Sequence, residues 1–247
     1  NAIVLAAMAD NAKIIDEAQA DGGPVSPKWM TIYLAALILG IGVPVGIIYL
    51  ISLTKFKIEG RADVEKLTSL PVIGDIPLAD EKNGSIAVFE NQNNLMSETF
   101  RNVRTNLQFM LEIGKNVILV TSTISGEGKS FVSANLAISL SLLGKKVVIV
   151  GLDIRKPGLN KVFNIPKKEH GITQFLTNPT INLMDLVQLS DINRNLYILP
   201  GGTVPPNPTE LLARDGLDKA VETLRKNFDY VILDTAPVGM VTDTLLI

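Results

Sequence analysis

An apolar run, Val117-Ile118-Leu119-Val120, passes into Thr121-Ser122-Thr123-Ile124-Ser125-Gly126-Glu127-Gly128-Lys129-Ser130. An apolar, helix-like stretch follows from Phe131 to Leu143. Strand, glycine-bearing loop, Lys-Ser and helix in this order form the arrangement of a phosphate-binding P-loop. Small residues let backbone N–H groups turn inward around an anion, and the helix starting near Lys129 adds its positive end. Lys129 can reach terminal phosphates, and the Ser130 hydroxyl can hold a divalent cation. Contacts to a nucleoside triphosphate are therefore expected across Ser125, Gly126, Glu127, Gly128, Lys129, Ser130 and Phe131. One position departs from the full spacing: Thr123 stands where the pattern asks for a first glycine.

From residue 115 onward, strand-like and helix-like segments alternate. Strands are expected at 116–122, 146–152, 195–199 and 229–234, and helices near 129–143, 171–177, 183–188 and 208–227. That alternation predicts an α/β fold, a P-loop NTPase-type parallel sheet with helices on both faces. Just upstream, Phe100, Val103, Leu107, Met110 and Leu111 recur at helical period, so residues 94–112 should form an amphipathic helix.

The N-terminal quarter reads differently. Residues 29–53 form a 25-residue span without a charged residue, long enough to cross a bilayer with some tilt. Trp29 sits at one end, and Lys55, Lys57 and Arg61 follow the other, against Lys28 alone before the span. The excess of basic residues places the C-terminal side in the cytoplasm, where ATP is also found. The span is too long for a signal peptide. Gly42 and Gly46 supply a GxxxG spacing, a weak packing signal beside Pro44.

Residues 1–28 then lie outside the cytoplasm and are too short to fold alone. They read as the end of a larger external domain, with an edge strand at 13–18 and a turn-rich approach at 21–27. Residues 54–92 read as a juxtamembrane linker holding a short strand between Pro71 and Pro77, and residues 93–247 as the P-loop domain. The sequence starts at Asn1 without Met and stops in an apolar stretch, so further chain is expected at both ends. The 247 residues include no cysteine and one histidine, which excludes disulfides and multi-histidine metal sites. The net charge of -2 gives no sign of a nucleic-acid partner.

Two more strand ends carry acidic residues. Val147 to Val150 leads into Gly151-Leu152-Asp153-Ile154-Arg155-Lys156-Pro157, and Tyr230 to Leu233 delivers Asp234-Thr235-Ala236-Pro237. Ligands of open α/β sheets sit beyond the carboxyl ends of strands. Asp153 and Asp234 are thus candidate metal residues with Ser130, and candidate catalytic residues with Lys129. Alone, either aspartate could be a turn residue; a P-loop on a neighbouring strand favours the functional reading.

Ser-Gly-Glu-Gly-Lys-Ser, Leu-Asp-Ile-Arg-Lys-Pro and Leu-Asp-Thr-Ala-Pro together resemble the Walker A, A′ and B set of the bacterial tyrosine kinases (BY-kinases) of capsule and exopolysaccharide export. Residues 204–212 and the stretch 70–77 are similar to that family too. Residues 1–53 resemble the end of its chain-length-determinant (polysaccharide co-polymerase) domain and second transmembrane helix. Septum-site and partition ATPases share the P-loop type but lack this span. The resemblance implies an inner-membrane, ATP- and Mg²⁺-dependent protein-tyrosine autokinase that phosphorylates neighbouring subunits in trans. It implies as partners a homo-oligomeric ring, a polysaccharide polymerase with its export machinery, a cognate tyrosine phosphatase and membrane lipid. Glu98, Arg101 and Arg104 match the family's oligomerisation motif, and their spacing of three puts them on one side of a helix.

Two departures from the family stand out. Its A′ motif has Asp-x-Asp where this chain has Gly151-Leu152-Asp153. The family's acceptor is a tyrosine-rich tail. Here Tyr33, Tyr49, Tyr197 and Tyr230 form no cluster, so the acceptor is expected outside these residues or in another protein. A deviant-Walker ATPase switch, or an assembly scaffold that uses ATP to lock a ring, is the alternative.

Overall fold

The structure is a computed structural model that describes residues 26–54, 58, 60–79, 84–90, 94–112, 114–166, 170–213 and 215–247. The strand expected at 13–18 and the basic residues Lys55 and Lys57 lie outside the described residues. The chain divides into two compact units, residues 1–60 and 61–247.

In the first unit, α1 runs from Trp29 to Thr54 as one helix with Pro44 inside it. Its side chains from Trp29 to Leu53 are exposed throughout. Its length and hydropathy suffice to cross a membrane.

The second unit is built on a five-stranded sheet in the order β1-β5-β2-β4-β3. The strands are β1 (Val117–Val120), β2 (Val147–Gly151), β3 (Gln188–Leu189), β4 (Leu196–Leu199) and β5 (Tyr230–Asp234). β1, β5, β2 and β4 are mutually parallel, and β3 adds an antiparallel edge. Apolar runs such as Val147 to Val150 suit strands buried on both faces. Side chains of successive residues point to opposite faces, and the core divides accordingly. Ile149, Ile232 and Ile198 pack with α3 (Leu95–Met110) and α4 (Lys129–Ser141) on one face. Val148, Val150, Val231 and Leu233 pack with α6 (Ile172–Thr177), α7 (Pro208–Leu212) and α8 (Gly216–Asn227) on the other. Short helices α2 (Arg61–Leu67) and α5 (Leu159–Val162) are also present.

The expected sheet and its long helices are present, with several differences. The single helix expected over 208–227 is two, α7 and α8, separated around Ala213 and Asp215. The helix near 183–188 is a 3-10 turn, Leu183–Leu186, followed by the two-residue β3. No strand forms between Leu70 and Pro77. Both prolines lack the donor a ladder needs, and the Ile73 carbonyl instead accepts from Asn106 Nδ2 at 2.7 Å. Part of the stretch read as linker packs into the body: Ile73, Ile76 and Ile86 lean on the α3–α4 core, and Val88 is within it. The Asn135 side chain of α4 accepts from the backbone N–H groups of Ala87 and Val88 at 2.8 and 3.1 Å. On α3, Phe100 and Val103 are buried, whereas Met110 leaves the expected apolar face and is 47% exposed at the helix end.

Candidate nucleotide site

The P-loop closes because two glycines take backbone angles that side chains disfavour. Gly126 has φ +95° and Gly128 has φ +85°, and a Cβ on either would point into open space. Gly128 is the left-handed N-cap from which α4 starts at Lys129. The glycine missing at 123 is replaced by a different device. The Glu127 carboxylate accepts from the backbone N–H of Thr123 at 2.7 Å and of Ile124 at 3.2 Å. The loop entrance is thus tied to its own middle, and Thr123 keeps a negative φ. The segment after β5 binds the same entrance, with Val238 N–H donating to Ser122 O at 2.9 Å and Gly239 N–H to Thr123 O at 3.0 Å.

Asp234, at the end of the strand between β1 and β2, collects the P-loop side chains. Lys129 Nζ donates to Asp234 Oδ1 at 3.0 Å, and Ser130 Oγ donates to Oδ2 at 2.7 Å. Ser133, one turn further along α4, places its Oγ 3.2 Å from Oδ1. Asp153 approaches from β2, its Oδ2 3.6 Å from Lys129 Nζ. The backbone N–H of Asp153 donates to the Asp234 carbonyl at 2.9 Å, which fixes the two strand ends relative to each other. The Lys129 side chain is 7% exposed, that of Asp153 13% and that of Asp234 1%. Burial raises the Asp234 carboxyl above the usual carboxylate range, an effect opposed by Lys129 and by the Ser130 and Ser133 hydroxyls.

The sequence-expected residues Lys129, Ser130, Asp153 and Asp234 therefore converge at one point. Glu98, Arg101 and Arg104 lie on α3, and the last turns into the chain. Arg101 pairs with Glu98, whereas Arg104 Nη1 donates to the Ser139 carbonyl of α4 at 2.7 Å.

Hard oxygen donors from Ser130, Asp153 and Asp234 suit Mg²⁺, which is bound through one or two carboxylates plus substrate phosphates. Among the described residues no group of three or more His, Cys, Asp or Glu side chains forms a metal site by itself.

Sequence reasoning missed several supporting residues. Ser133 lies four residues after Lys129, on the same helical face, and that spacing could have found it. Gly158 comes so near Ser130 that a Cβ there would stand 3.0 Å from Ser130 Oγ. Arg155 reaches Asp243 and Thr209, whose separation in sequence gave no signal.

A family model described as an AAA domain matches residues 115–247. A putative tyrosine-protein kinase in the cps region of Klebsiella pneumoniae is 33% identical over 259 residues, covering 96% of this chain and 35% of that protein. The BceF tyrosine kinase domain is 30% identical with a TM-score of 0.66, covering 77% of this chain and 81% of that one. The kinase domain of Escherichia coli tyrosine kinase ETK is 27% identical with a TM-score of 0.69, covering 77% of each chain. The chain spans about a third of the length of the first curated relatives it matches. A P-loop fold of this type implies nucleotide binding with a metal.

Proposed function

The chain belongs to the AAA-domain family and, within it, to the bacterial tyrosine kinases, and on that premise we propose that it is an ATP- and Mg²⁺-dependent protein-tyrosine kinase. The observation that carries this reading is the convergence of Lys129, Ser130 and Asp153 on Asp234 at the mouth of the P-loop.

In this reading the loop amides and Lys129 hold the β and γ phosphates. Ser130, Asp153 and Asp234 hold Mg²⁺, which supplies charge neutralisation at the γ-phosphoryl group when bound. The tyrosine oxygen forms a bond to the γ-phosphorus as the bond from phosphorus to the β,γ-bridging oxygen breaks, and ADP leaves. The phenol proton passes to Asp153, the more accessible of the two aspartates. Positioning and charge stabilisation do most of the work in such transfers.

The acceptor tyrosine belongs to a neighbouring subunit or to another protein. Glu98 and Arg101, half-exposed on α3, are the residues offered to a neighbour in a ring, while Arg104 braces α3 from inside. Residues 29–53 cross the bacterial inner membrane, with 1–28 periplasmic as the end of a chain-length-determinant domain, 54–92 a cytoplasmic juxtamembrane segment and 93–247 the cytoplasmic kinase domain. The setting is capsular or exopolysaccharide assembly, with the polymerase and export machinery, a tyrosine phosphatase and lipid as partners. The relative from a cps region supports this setting.

One observation favours a second reading, an ATPase switch without kinase activity. Gly151 takes the place of a carboxylate, and a Cβ there would stand 3.0 Å from the Gly201 nitrogen.

The test is transfer of label from γ-labelled Mg·ATP to tyrosine of an added Glu–Tyr copolymer and of the protein itself. Label in tyrosine that is lost in Lys129→Ala is expected. ATP hydrolysis without phosphotyrosine would favour the switch, and unaltered nucleotide affinity in a folded Lys129→Ala would overturn the site.

A further inference from the structure

Away from the nucleotide site, α3 and the C-terminal half of α4 enclose a cavity of about 210 Å³. Ser97, Arg101 and Arg104 of α3 line it with Ser139 of α4, and Phe89 and Leu142 add apolar lining. Two of these lining residues each hold a buried polar atom without a hydrogen-bond partner, Ser97 Oγ and Arg104 Nε. Ser97 is 1% exposed. Buried donors are almost always paired, so two orphans in one cavity mark a place where an acceptor belongs.

The charge points the same way. The Arg104 guanidinium spends one nitrogen on the Ser139 carbonyl, at 2.7 Å, and on its hydroxyl, at 3.3 Å. Burial, and then repulsion from Arg101, make its charged form less favourable than in water. Among the described residues no carboxylate lies within ion-pair distance of it. Glu90 also lines the cavity, and Glu98 pairs with Arg101. A desolvated cation flanked by a second one and by a spare hydroxyl attracts an anion with several acceptor oxygens.

We propose that this cavity is an oxyanion site, which seats a phosphate or carboxylate group on the Ser97 hydroxyl and the Arg104 Nε–H, with Arg101 adding charge. A group held there joins α3 to the end of α4 opposite Lys129 and Ser130. The site is independent of the nucleotide reading, since it shares no residue with the P-loop.

The arginine Nε–H signals of the full chain in detergent micelles report on the site directly. Sodium phosphate, sodium acetate and sodium chloride are titrated at matched ionic strength, and the Arg104 signal is assigned by its loss in Arg104→Lys. The Arg104 signal should shift and saturate with phosphate or acetate and stay still with chloride, the two arms telling phosphate from carboxylate. Ser97→Ala should weaken the apparent affinity about tenfold, and Ser97→Asp, which supplies a carboxylate in place, should abolish the response. The response should survive Lys129→Ala, so a failure at the nucleotide site leaves this result untouched. An Arg104 signal that moves equally in chloride, or an affinity unchanged in Ser97→Ala, overturns the proposal.

Discussion

Arg155 grips Asp243 with two hydrogen bonds, Nε to Oδ2 at 2.6 Å and Nη2 to Oδ1 at 3.0 Å. This ties the loop after β2 to the 3-10 turn Asp243–Leu246 that follows β5. Thr209 of α7 joins them, its hydroxyl 2.8 Å from both Arg155 Nη2 and Asp243 Oδ1. Three segments remote in sequence are thereby fixed beside Asp153.

The pair sets an acid limit on stability. Hydrogen bonding from Arg155 holds the Asp243 carboxyl below the usual carboxylate range. A depressed folded-state pKa contributes stability above the unfolded value, lost as pH falls through the folded one. Asp243→Asn should therefore cost most near neutral pH and progressively less as the wild type is acidified. About 2 kcal/mol at neutral pH is expected for hydrogen bonds to a charged group, reduced by solvent because Arg155 is 39% exposed. Urea melts of both proteins from pH 7 downward measure the difference; one that stays constant with pH would contradict this account.

Asp234 should show the opposite sign. Its carboxyl is raised by burial, so its contribution is fully present below the unfolded pKa and fades as pH rises through the folded one. Asp234→Asn keeps the shape and removes the charge. Relative to wild type, its stability should improve as pH increases, while Mg·ATP affinity drops. Melts at pH 5 and pH 8, with a nucleotide titration, read both. Asp153 at 3.6 Å remains to balance Lys129.

Glu127 replaces a glycine's freedom with two hydrogen bonds. Glu127→Ala should loosen the loop entrance and weaken nucleotide binding about tenfold, equal to ~1.4 kcal/mol, with Glu127→Gln intermediate. Calorimetric titration with Mg·ATP decides it. Equal affinities across the three proteins would mean the Glu127 bonds do not shape the site.

Gly151→Asp puts a carboxylate on the face that carries Asp234, since the two are paired in register. Its Cβ would stand 3.0 Å from the Gly201 nitrogen, so the backbone must yield. Overpacking of this kind costs about 1–3 kcal/mol. The loss should shrink when Mg·ATP is added, because the cation then neutralises the added charge. Thermal melts with and without Mg·ATP test this. A loss unchanged by ligand would leave packing as the whole effect.

The membrane assignment is tested on a chain without native cysteine. Single cysteines at Ser26 and Ser85 should react with an impermeant thiol reagent from opposite sides of sealed vesicles. Labelling from the same side would exclude a single crossing of residues 29–53.

Strands β2 and β5 were legible because both of their faces are covered, so each reads as an unbroken apolar run with an aspartate at or just beyond its end. Asp153 and Asp234 follow from that pattern, and Lys129 and Ser130 from the glycine-bearing loop before their helix. Glu127's bonds were hidden because a local carboxylate-to-amide staple leaves no periodic trace. Arg104 shares the spacing of Glu98 and Arg101, and its bond to the Ser139 carbonyl left no trace in the sequence because it joins two helices 35 positions apart. The Arg155–Asp243 pair joins positions 88 residues apart, and no local rule connects them. The break between α7 and α8 escaped notice because apolar residues continue at helical spacing on both sides of it.

The order β1-β5-β2 has a consequence for how the site comes into being. The strand seated between β1 and β2 is the last of the five in the sequence. During synthesis the P-loop is made more than a hundred residues before the carboxylate that orders it, since Lys129 and Asp234 are separated by 105 positions. Contacts so distant in the chain form slowly, after a large loop has closed. A nascent chain that has emerged only through β4 therefore holds its P-loop without a completed pocket, and nucleotide binding should switch on abruptly when β5 slots into the gap. ATP would then bind only chains whose β5 is in place and would act as a reporter of finished folding.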